Sequence, residues 1–142
     1  MTIGCLIEGR DAAIVTCDTR MTVREAVALL AGRRIGAMPV LDDGEVAGIF
    51  SERDVLYRLH ESGPEMLDSK VGDVMTKPAV TANPDMQVLH ALSLMTKRRI
   101  RHLPVLREGK MIGFVSIGDL VKYRIDRIES EAEALRAYIQ TA

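Results

Sequence analysis

The sequence repeats itself, and this internal duplication restricts the possible fold more than any other feature of the chain. Shifting the sequence by 65 positions aligns residues 14–58 with residues 79–123 without a gap. Sixteen of the paired positions are identical, which is far more than chance supplies. Repeated units of this size bury their apolar faces against each other. The chain is therefore predicted to form two packed copies of one supersecondary unit.

Each copy begins with a short extended segment that leads into a helix. In the first copy, Thr22 and Glu25 have the spacing of a capping box, and apolar residues follow at helical intervals. In the second copy, Asn83-Pro84-Asp85 stands where this helix is expected to begin, and the same apolar spacing follows. Both copies therefore predict an amphipathic helix after the extended entry.

Two short apolar runs follow each helix. They cover residues 37–41 and 46–50 in the first copy, and residues 102–106 and 111–115 in the second. Asp43-Gly44 and Glu108-Gly109 separate the runs, and glycine tolerates the positive φ that a tight hairpin turn requires. A second helix is predicted to begin at Ser51 and at Ser116. The unit is thus an α/β arrangement in the order β-α-β-β-α.

The composition divides the chain and limits its partners. We expect the first repeat with its N-terminal segment and linker in residues 1–69, the second repeat in 70–127 and a helical tail in 128–142. The 19 basic and 20 acidic residues leave a formal charge of −1, which does not favour general nucleic-acid binding. The absence of tryptophan and 4% aromatic content also make stacking platforms for single strands unlikely in this sequence.

The sequence predicts a cytoplasmic protein. Glu8 and Arg10 interrupt the N-terminal stretch where a signal peptide needs apolar residues. No apolar run approaches the roughly 18 residues of a membrane span, so no membrane partner is expected. Cys5 and Cys17 have neither zinc-finger nor redox-motif spacing and are interpreted as reduced.

The repeated unit resembles the CBS domain, and two units in tandem resemble a CBS pair, or Bateman module. The resemblance depends on the Val-Thr entry, the Pro-Val strand, the paired glycines and the Ser-x-x-Asp ending, and it extends from about Ile14 to Ile128, including the lead 71–76. It implies two repeats related by a pseudo-twofold axis. It also implies clefts that bind adenosine-containing ligands, namely AMP, ADP, ATP, S-adenosylmethionine or NAD(H), and a sensing role without catalysis.

The two Ser-x-x-Asp motifs allow a structural and a functional interpretation. Ser51 with Asp54, and Ser116 with Asp119, fit a capping-box variant that stabilises a helix start by roughly 1 kcal/mol. The resemblance instead implies that each aspartate accepts both ribose hydroxyls, while the serine and the helix N-terminus face phosphate. A carboxylate suits two O–H donors, and a helix N-terminus attracts an anion. Both roles are compatible.

The strand entrances are the second candidate element. By resemblance, the backbone before each proline binds the adenine edge, with Ile35 or Ile100 over the ring, and a threonine lies on the entry segment. The candidate residues of this element are Thr16, Ile35, Ala37, Met38, Pro39, Thr81, Ile100, Leu103 and Pro104. Most of them fit a buried strand equally well. Because proline lacks an N–H donor, Pro39 and Pro104 are expected at a sheet edge or at the first residue of a strand.

Basic residues near these motifs supply candidates for a phosphate contact. We expect this role for Arg53, Arg101 and His102, although such charges also suit a solvated helix end. The copies differ at these positions, so the two clefts are predicted to be chemically unequal. The clusters at Arg33-Arg34 and at residues 97–101 leave nucleic-acid binding as an alternative function.

No motif of a catalytic or metal site is present in the sequence, which lacks the hydrolase elbow, the P-loop and the zinc-protease signature. We expect no enzyme activity, no catalytic cofactor and no metal. The predicted function is adenine-nucleotide sensing, read by an unknown downstream protein. A purely structural dimerisation module is the other alternative.

The C-terminal residues predict one long helix with an apolar stripe. Residues 121, 125, 128, 132, 135 and 139 follow one another in steps of four and three, which is typical of a heptad seam. This stripe extends beyond the repeat, and packing on its own module is one possible use. We favour packing against a second subunit, which agrees with the disc-like dimers that the resemblance implies.

Overall fold

The computed structural model describes residues 1–10 and 13–141 and confirms two α/β repeats with a long C-terminal helix. The chain begins with helix α1 (Ile3–Ile7). The first repeat then contains strand β1 (Cys17–Asp18), helix α2 (Val23–Arg33), strands β2 (Ala37–Asp42) and β3 (Glu45–Ser51), and helix α3 (Glu52–Ser62). No helix among the described residues is long and apolar enough to cross a membrane.

The second repeat follows a linker that folds into a 3₁₀ helix (Pro64–Asp68) and the short helix α4 (Val71–Val74). Helix α5 (Val88–Arg98), strands β4 (His102–Arg107) and β5 (Lys110–Ser116), and helix α6 (Ile117–Thr141) complete it. The sheet of the first repeat has the order β1-β2-β3, whereas β4 and β5 form a two-stranded sheet. In the second repeat, the entry segment contributes a single parallel bridge between Ala82 and Val105 in place of a strand.

Local sequence signals determine the turns and most helix starts. Both hairpins have two-residue turns, in which Asp43 and Glu108 adopt φ of 50° and the following glycines φ of 84° and 79°. Ser51 caps α3 through a complete capping box with Asp54, as the sequence predicts. In the second repeat the expected start at Asn83 is wrong, because Asn83 accepts the N–H of Asp85 in a turn and α5 begins after Gln87.

The expected position of the first proline is also wrong. Pro39 is the third residue of β2, which is the central strand of its sheet. Ile49 is the residue opposite Pro39 on β3, and its main-chain N–H and carbonyl both bond to Thr76. Pro39 and Ile49 are therefore not hydrogen-bonded to each other, and the nitrogen of Pro39 points away from β3. On that other side, β1 begins only opposite Val40. The missing N–H therefore costs the sheet no hydrogen bond. Pro104 occupies the equivalent third position of β4.

Each repeat is completed by a lead segment that precedes the other repeat in the chain. We define the first lead segment as residues 1–10 and the second as residues 70–76. In the first, Ile3 donates its N–H to the carbonyl of Met86 at 2.8 Å. In the second, Val71 donates to Met21, also at 2.8 Å. The two methionines are paired positions of the duplication, so the two lead segments dock in equivalent ways.

The exchange places the lead segments inside two separate hydrophobic cores. Val71 and Val74 belong to the core of the first repeat, together with Phe50. Ile3 is fully buried in the core of the second repeat, beside Leu103. Burying side chains of this size contributes roughly 1.5–3 kcal/mol each. The N-terminal segment, which we expected to accompany the first repeat, thus packs on the second.

Candidate functional site

Two clefts lie between the repeats, and each combines the acidic motif of one repeat with the strand entrance of the other. The first cleft has a volume of about 280 Å³ and contains Ser51 and Asp54 opposite Ile100 and His102. The second has a volume of about 440 Å³ and contains Ser116 and Asp119 opposite Ile35 and Ala37. Volumes of this size are of the order found for small-molecule sites. Neither repeat alone supplies both walls.

The carboxylate of Asp54 is held in place at the wall of the first cleft. One oxygen, Oδ2, accepts the main-chain N–H of Ser51 at 2.8 Å and lies 3.1 Å from the Ser51 hydroxyl. The other, Oδ1, accepts the hydroxyl of Thr76 at 2.8 Å. Thr76 belongs to the second lead segment and also lines the cleft. The cap and the lead segment therefore fix the orientation of a group whose remaining lone pairs are available to a ligand.

Three arginines line the first cleft: Arg53 in the acidic motif, and Arg99 and Arg101 beside the strand entrance of the second repeat. Glu52 and Asp54 are the acidic residues that line it, so the positive charges outnumber the negative ones. Arg53 extends from the first turn of α3 and donates to the carbonyl of Arg99 at 3.0 Å. Among the hydrogen bonds of residues 1–10 and 13–141, this one alone joins 14–58 directly to 79–123.

The first cleft also has an apolar part. It consists of Ile49 on β3, Ile100 before β4 and Val80 on the entry segment of the second repeat. Tyr57, one turn after Asp54 on α3, lines the same cavity. A flat ring fits such a wall, because removing its faces from water is favourable while its edges remain free for hydrogen bonds. The cleft thus places a fixed carboxylate and cations beside a slot for a ring.

The second cleft has different electrostatics. Asp119 accepts the N–H of Ser116 at 2.8 Å, and its other oxygen lies 3.4 Å from the guanidinium of Arg10 in the first lead segment. Burial opposes ionisation of this carboxyl, but the hydrogen bonds from Ser116 and the charge of Arg10 outweigh it and lower its pKa. At the two positions that follow Ser116, Ile117 and Gly118 stand where the first repeat has Glu52 and Arg53. The predicted inequality of the two clefts is visible in these contacts.

His102 lies on the wall that the two clefts share. It lines both cavities, and its ring stacks on Phe114 with centroids 5.3 Å apart and planes 13° from parallel. Burial lowers the pKa of His102; Arg101 acts in the same direction, while Asp119 and Glu52 oppose it. The imidazole is therefore neutral at pH 7 and can donate one hydrogen bond and accept another. A change at this ring is felt in both clefts.

Six of the candidate residues do not line either cleft. Met38 and Leu103 are fully buried in the two cores, and both prolines are buried beside them. Thr16 and Thr81 are half-buried on the entry segments, next to cleft-lining Val15 and Val80. The remaining candidates line one or both cavities: Ile35, Ala37, Ser51, Arg53, Asp54, Ile100, Arg101, His102, Ser116 and Asp119.

Sequence reasoning missed several residues of these walls. Thr76 and Arg10 come from the lead segments, and only the register of the exchange brings them to the carboxylates. The sequence showed Arg99 only as part of a basic cluster. In the structure it ends α5 in a left-handed conformation, and its carbonyl accepts a hydrogen bond from Arg53 at the cleft. Tyr57 offered a usable signal, since it lies three residues after Asp54 and therefore on the same helix face.

Two α/β repeats with two clefts between them, each lined by residues of both repeats, define a tandem-repeat module. The family model of the CBS domain matches residues 11–61 and again residues 71–126. The chain therefore belongs to the CBS domain family, and the resemblance noted in the sequence is confirmed.

The chain is also similar to individual members of this family. The mitochondrial CBS domain-containing protein CBSX3 of Arabidopsis thaliana is 41% identical over 135 residues, a match that covers 92% of this chain and 66% of CBSX3. The structure of the CBS-domain containing protein ATU1752 from Agrobacterium tumefaciens matches with a TM-score of 0.82 at 34% identity, covering 87% of this chain and 99% of that one.

A more distant structure has the same fold. The CBS domain pair of protein MJ0100, solved with 5′-methylthioadenosine and S-adenosyl-L-methionine, matches with a TM-score of 0.77 at 21% identity. This match covers 89% of this chain and 98% of that one.

Proposed function

We propose that this protein is a regulatory module, without catalysis of its own, that binds an adenosine-containing ligand in the first cleft. The carrying observation is the fixed carboxylate of Asp54 in a cleft that three arginines and several apolar residues also line. The adenosine ligands of the similarly folded MJ0100 pair support the same ligand class. The proposed class includes AMP, ATP, NAD(H) and S-adenosylmethionine.

The ribose is the part of the ligand that Asp54 recognises in this proposal. A vicinal diol presents two O–H donors, and an ionised carboxylate is an acceptor with no competing donor. The contacts of Asp54 with Ser51 and Thr76 orient it before the ligand arrives, which reduces the entropy lost on binding. The adenine ring then lies between Ile100 and Val80, as the apolar wall suggests.

The phosphate is assigned to Arg53, Arg101 and the N-terminus of α3. Hydrogen bonds between guanidinium and phosphate are charge-assisted and about twice as strong as those between neutral groups. A ligand phosphate therefore offers Arg53 a better partner than the neutral carbonyl of Arg99. Because that bond joins the two repeats, its exchange for a ligand contact shifts their relative position, which a downstream protein can read.

We also retain self-association through α6 and a cytoplasmic location as parts of the proposal. Five apolar residues along α6 are exposed in the single chain, which supports a second copy as partner: Val121, Ile125, Ile128, Leu135 and Ile139. Cys5 and Cys17 are interpreted as reduced thiols, which is the usual state of cysteine in a reducing compartment.

The ligand class is tested by thermal unfolding with AMP, ATP, NADH and S-adenosylmethionine, and with adenosine as the form that lacks a phosphate. A ligand that binds only the folded state raises the melting temperature. If all five leave it unchanged at millimolar concentration, the sensing function is wrong, and a purely structural module remains.

The ribose contact is tested by calorimetry on two matched variants, Asp54→Asn and Asp119→Asn. Asparagine retains an acceptor for the N-cap but cannot accept two hydroxyls with the strength of a carboxylate. Loss of a hydrogen bond to a charged group costs ~1.5–3 kcal/mol, or roughly ten- to a hundred-fold in affinity. We expect this loss in Asp54→Asn for the ligand of the first cleft, with Asp119→Asn as its control. Unchanged affinity in Asp54→Asn would refute the ribose assignment.

A further inference from the structure

Helix α6 has two apolar faces, and only one of them contacts the rest of the chain. Ile117, Leu120 and Tyr123 pack into the core of the second repeat. The other face consists of six residues that we call the seam: Val121, Ile125, Ile128, Ala132, Leu135 and Ile139. Ala132 is half-buried, and the other five seam residues are between 42% and 64% exposed. An exposed stripe along 19 residues of one helix is a surface for a partner.

The spacing of the seam is that of a coiled coil. Its steps of four and three place Val121, Ile128 and Leu135 at one core position of the heptad, d, and Ile125, Ala132 and Ile139 at the other, a. In the last heptad, Leu135 at position d with Ile139 at position a is the combination that favours two strands, whereas Ile128 at d does not match this rule. The exposed residues of the helix therefore suit one further helix with the same pattern.

The charges beside the seam determine which direction that second helix runs, if it is α6 of another copy. In a parallel pair, each g residue faces the following e residue of the other helix. Arg124 of one copy then lies opposite Glu129 of the other, and Glu131 opposite Arg136. Both kinds of contact are attractive, and each occurs twice in the dimer.

An antiparallel pair gives the opposite result. There, g residues face g residues and e residues face e residues, so Glu131 meets Glu131 and Glu129 meets Glu129. Lys122 would lie opposite Arg136, which is again a contact between like charges. In the antiparallel register that keeps all six core layers, every charged contact is repulsive, whereas every charged contact along the parallel seam is favourable. A shift of the antiparallel pair by one heptad makes its charged contacts attractive but leaves only four core layers.

We propose that the seam joins two copies of this chain as a parallel, two-stranded coiled coil. The inference rests on the proposed self-association and adds its direction and register. Glu131 already lies 3.3 Å from Arg127 of its own helix, but its second oxygen remains available to Arg136 of the other copy. The parallel arrangement brings the two C-termini together and places both second repeats at the same end of the coil.

Charge reversal tests the direction by analytical ultracentrifugation of the full chain. Arg136→Glu turns two attractions into repulsions, so the dimer dissociation constant should rise about ten-fold. The double variant Glu131→Arg/Arg136→Glu restores opposite charges with no change of net charge, and it should recover the wild-type constant. In the six-layer antiparallel coil, the glutamate of Arg136→Glu would instead face Lys122 and strengthen the dimer, which would overturn the proposal.

Cross-linking provides a second measurement that does not depend on affinity. In a Cys5→Ser background, Ile139→Cys places two thiols in one core layer, and oxidation with copper phenanthroline should give a covalent dimer. Ala137→Cys, on the outer side of the coil, is the matched control and should stay monomeric. A wild-type monomer at high micromolar concentration would overturn self-association altogether. A dimer that neither cross-links through Ile139→Cys nor responds to Arg136→Glu would overturn the coil alone.

Discussion

Gly48 on β3 lies where the second lead segment crosses the sheet of the first repeat, and it has no room for a side chain. A Cβ at this position would lie 2.6 Å from the carbonyl oxygen of Thr76 and 2.8 Å from the sulfur of Met75. The methionine side chain can move, but Thr76 is held by two main-chain hydrogen bonds with Ile49, of 2.9 and 3.0 Å. Gly48→Ala therefore forces the lead segment away from the sheet.

The magnitude follows from three contributions. Overpacking of this kind costs roughly 1–3 kcal/mol, and each weakened hydrogen bond adds about 0.5–1.5 kcal/mol. The smaller entropy of the unfolded alanine chain offsets about 0.4–1 kcal/mol. We expect Gly48→Ala to lower the free energy of unfolding by about 1–5 kcal/mol in urea titrations, with an unchanged m-value. Ligand affinity of the first cleft should fall as well, because Thr76 orients Asp54.

Two other glycines serve as controls for this prediction. Gly32 in α2 has open space around it, so Gly32→Ala should stabilise the protein by up to about 1 kcal/mol. At Gly113, the paired position of Gly48, the nearest atoms to an added Cβ belong to the side chain of Ile7, at 3.0 to 3.5 Å, and none is a main-chain atom, so its substitution should cost less. A Gly48→Ala protein as stable as the wild type would show that the lead segment does not lie against β3 as described.

Two further predictions concern titratable groups. Because the pKa of His102 is lowered, the folded protein binds fewer protons there than the unfolded chain below about pH 6.5. The free energy of unfolding should therefore decrease as the pH falls through that range, and His102→Gln should reduce this slope in chemical denaturation, whereas the exposed control His60→Gln should retain it. Burial, aided by the charge of Asp18, raises the pKa of Cys17 to about 11. Only Cys5 should then react with a thiol reagent in the folded protein at mildly alkaline pH, and rapid labelling of both cysteines would contradict the buried position of Cys17.

The parts of the fold that depend on local sequence could be predicted. The turn at Asp43-Gly44 and the cap at Ser51 require particular residue types at fixed spacing, so a reader of the sequence can place them. Because the sequence is duplicated, each element predicted in the first repeat could also be predicted in the second. Where the signal was weaker, the prediction was wrong: the turn formed by Asn83 resembles a cap, although the helix begins only after Gln87.

The exchange of lead segments could not be predicted, because it depends on contacts between residues that are far apart in the sequence, 83 positions for Ile3 and Met86 and 50 for Met21 and Val71. A weak signal exists in hindsight, since Ile3-Gly4 and Val71-Gly72 both combine a branched side chain with glycine. These pairs are offset by 68 positions rather than 65, so the gapless alignment of the repeats does not reveal them. The candidate site shares this difficulty, because the partners of Asp54 and Asp119 lie on these segments.

The crossed lead segments also mean that the molecule has no clean point of division. Cutting the linker after residue 69 would leave one fragment with a helix that belongs to the other, and the second fragment with an open core where Ile3 had been. A single repeat on its own would need the lead segment of a second copy to close its core. When two such units are joined in one polypeptide, each lead segment is always available to the other repeat. This is a physical reason for the two halves to be inherited together.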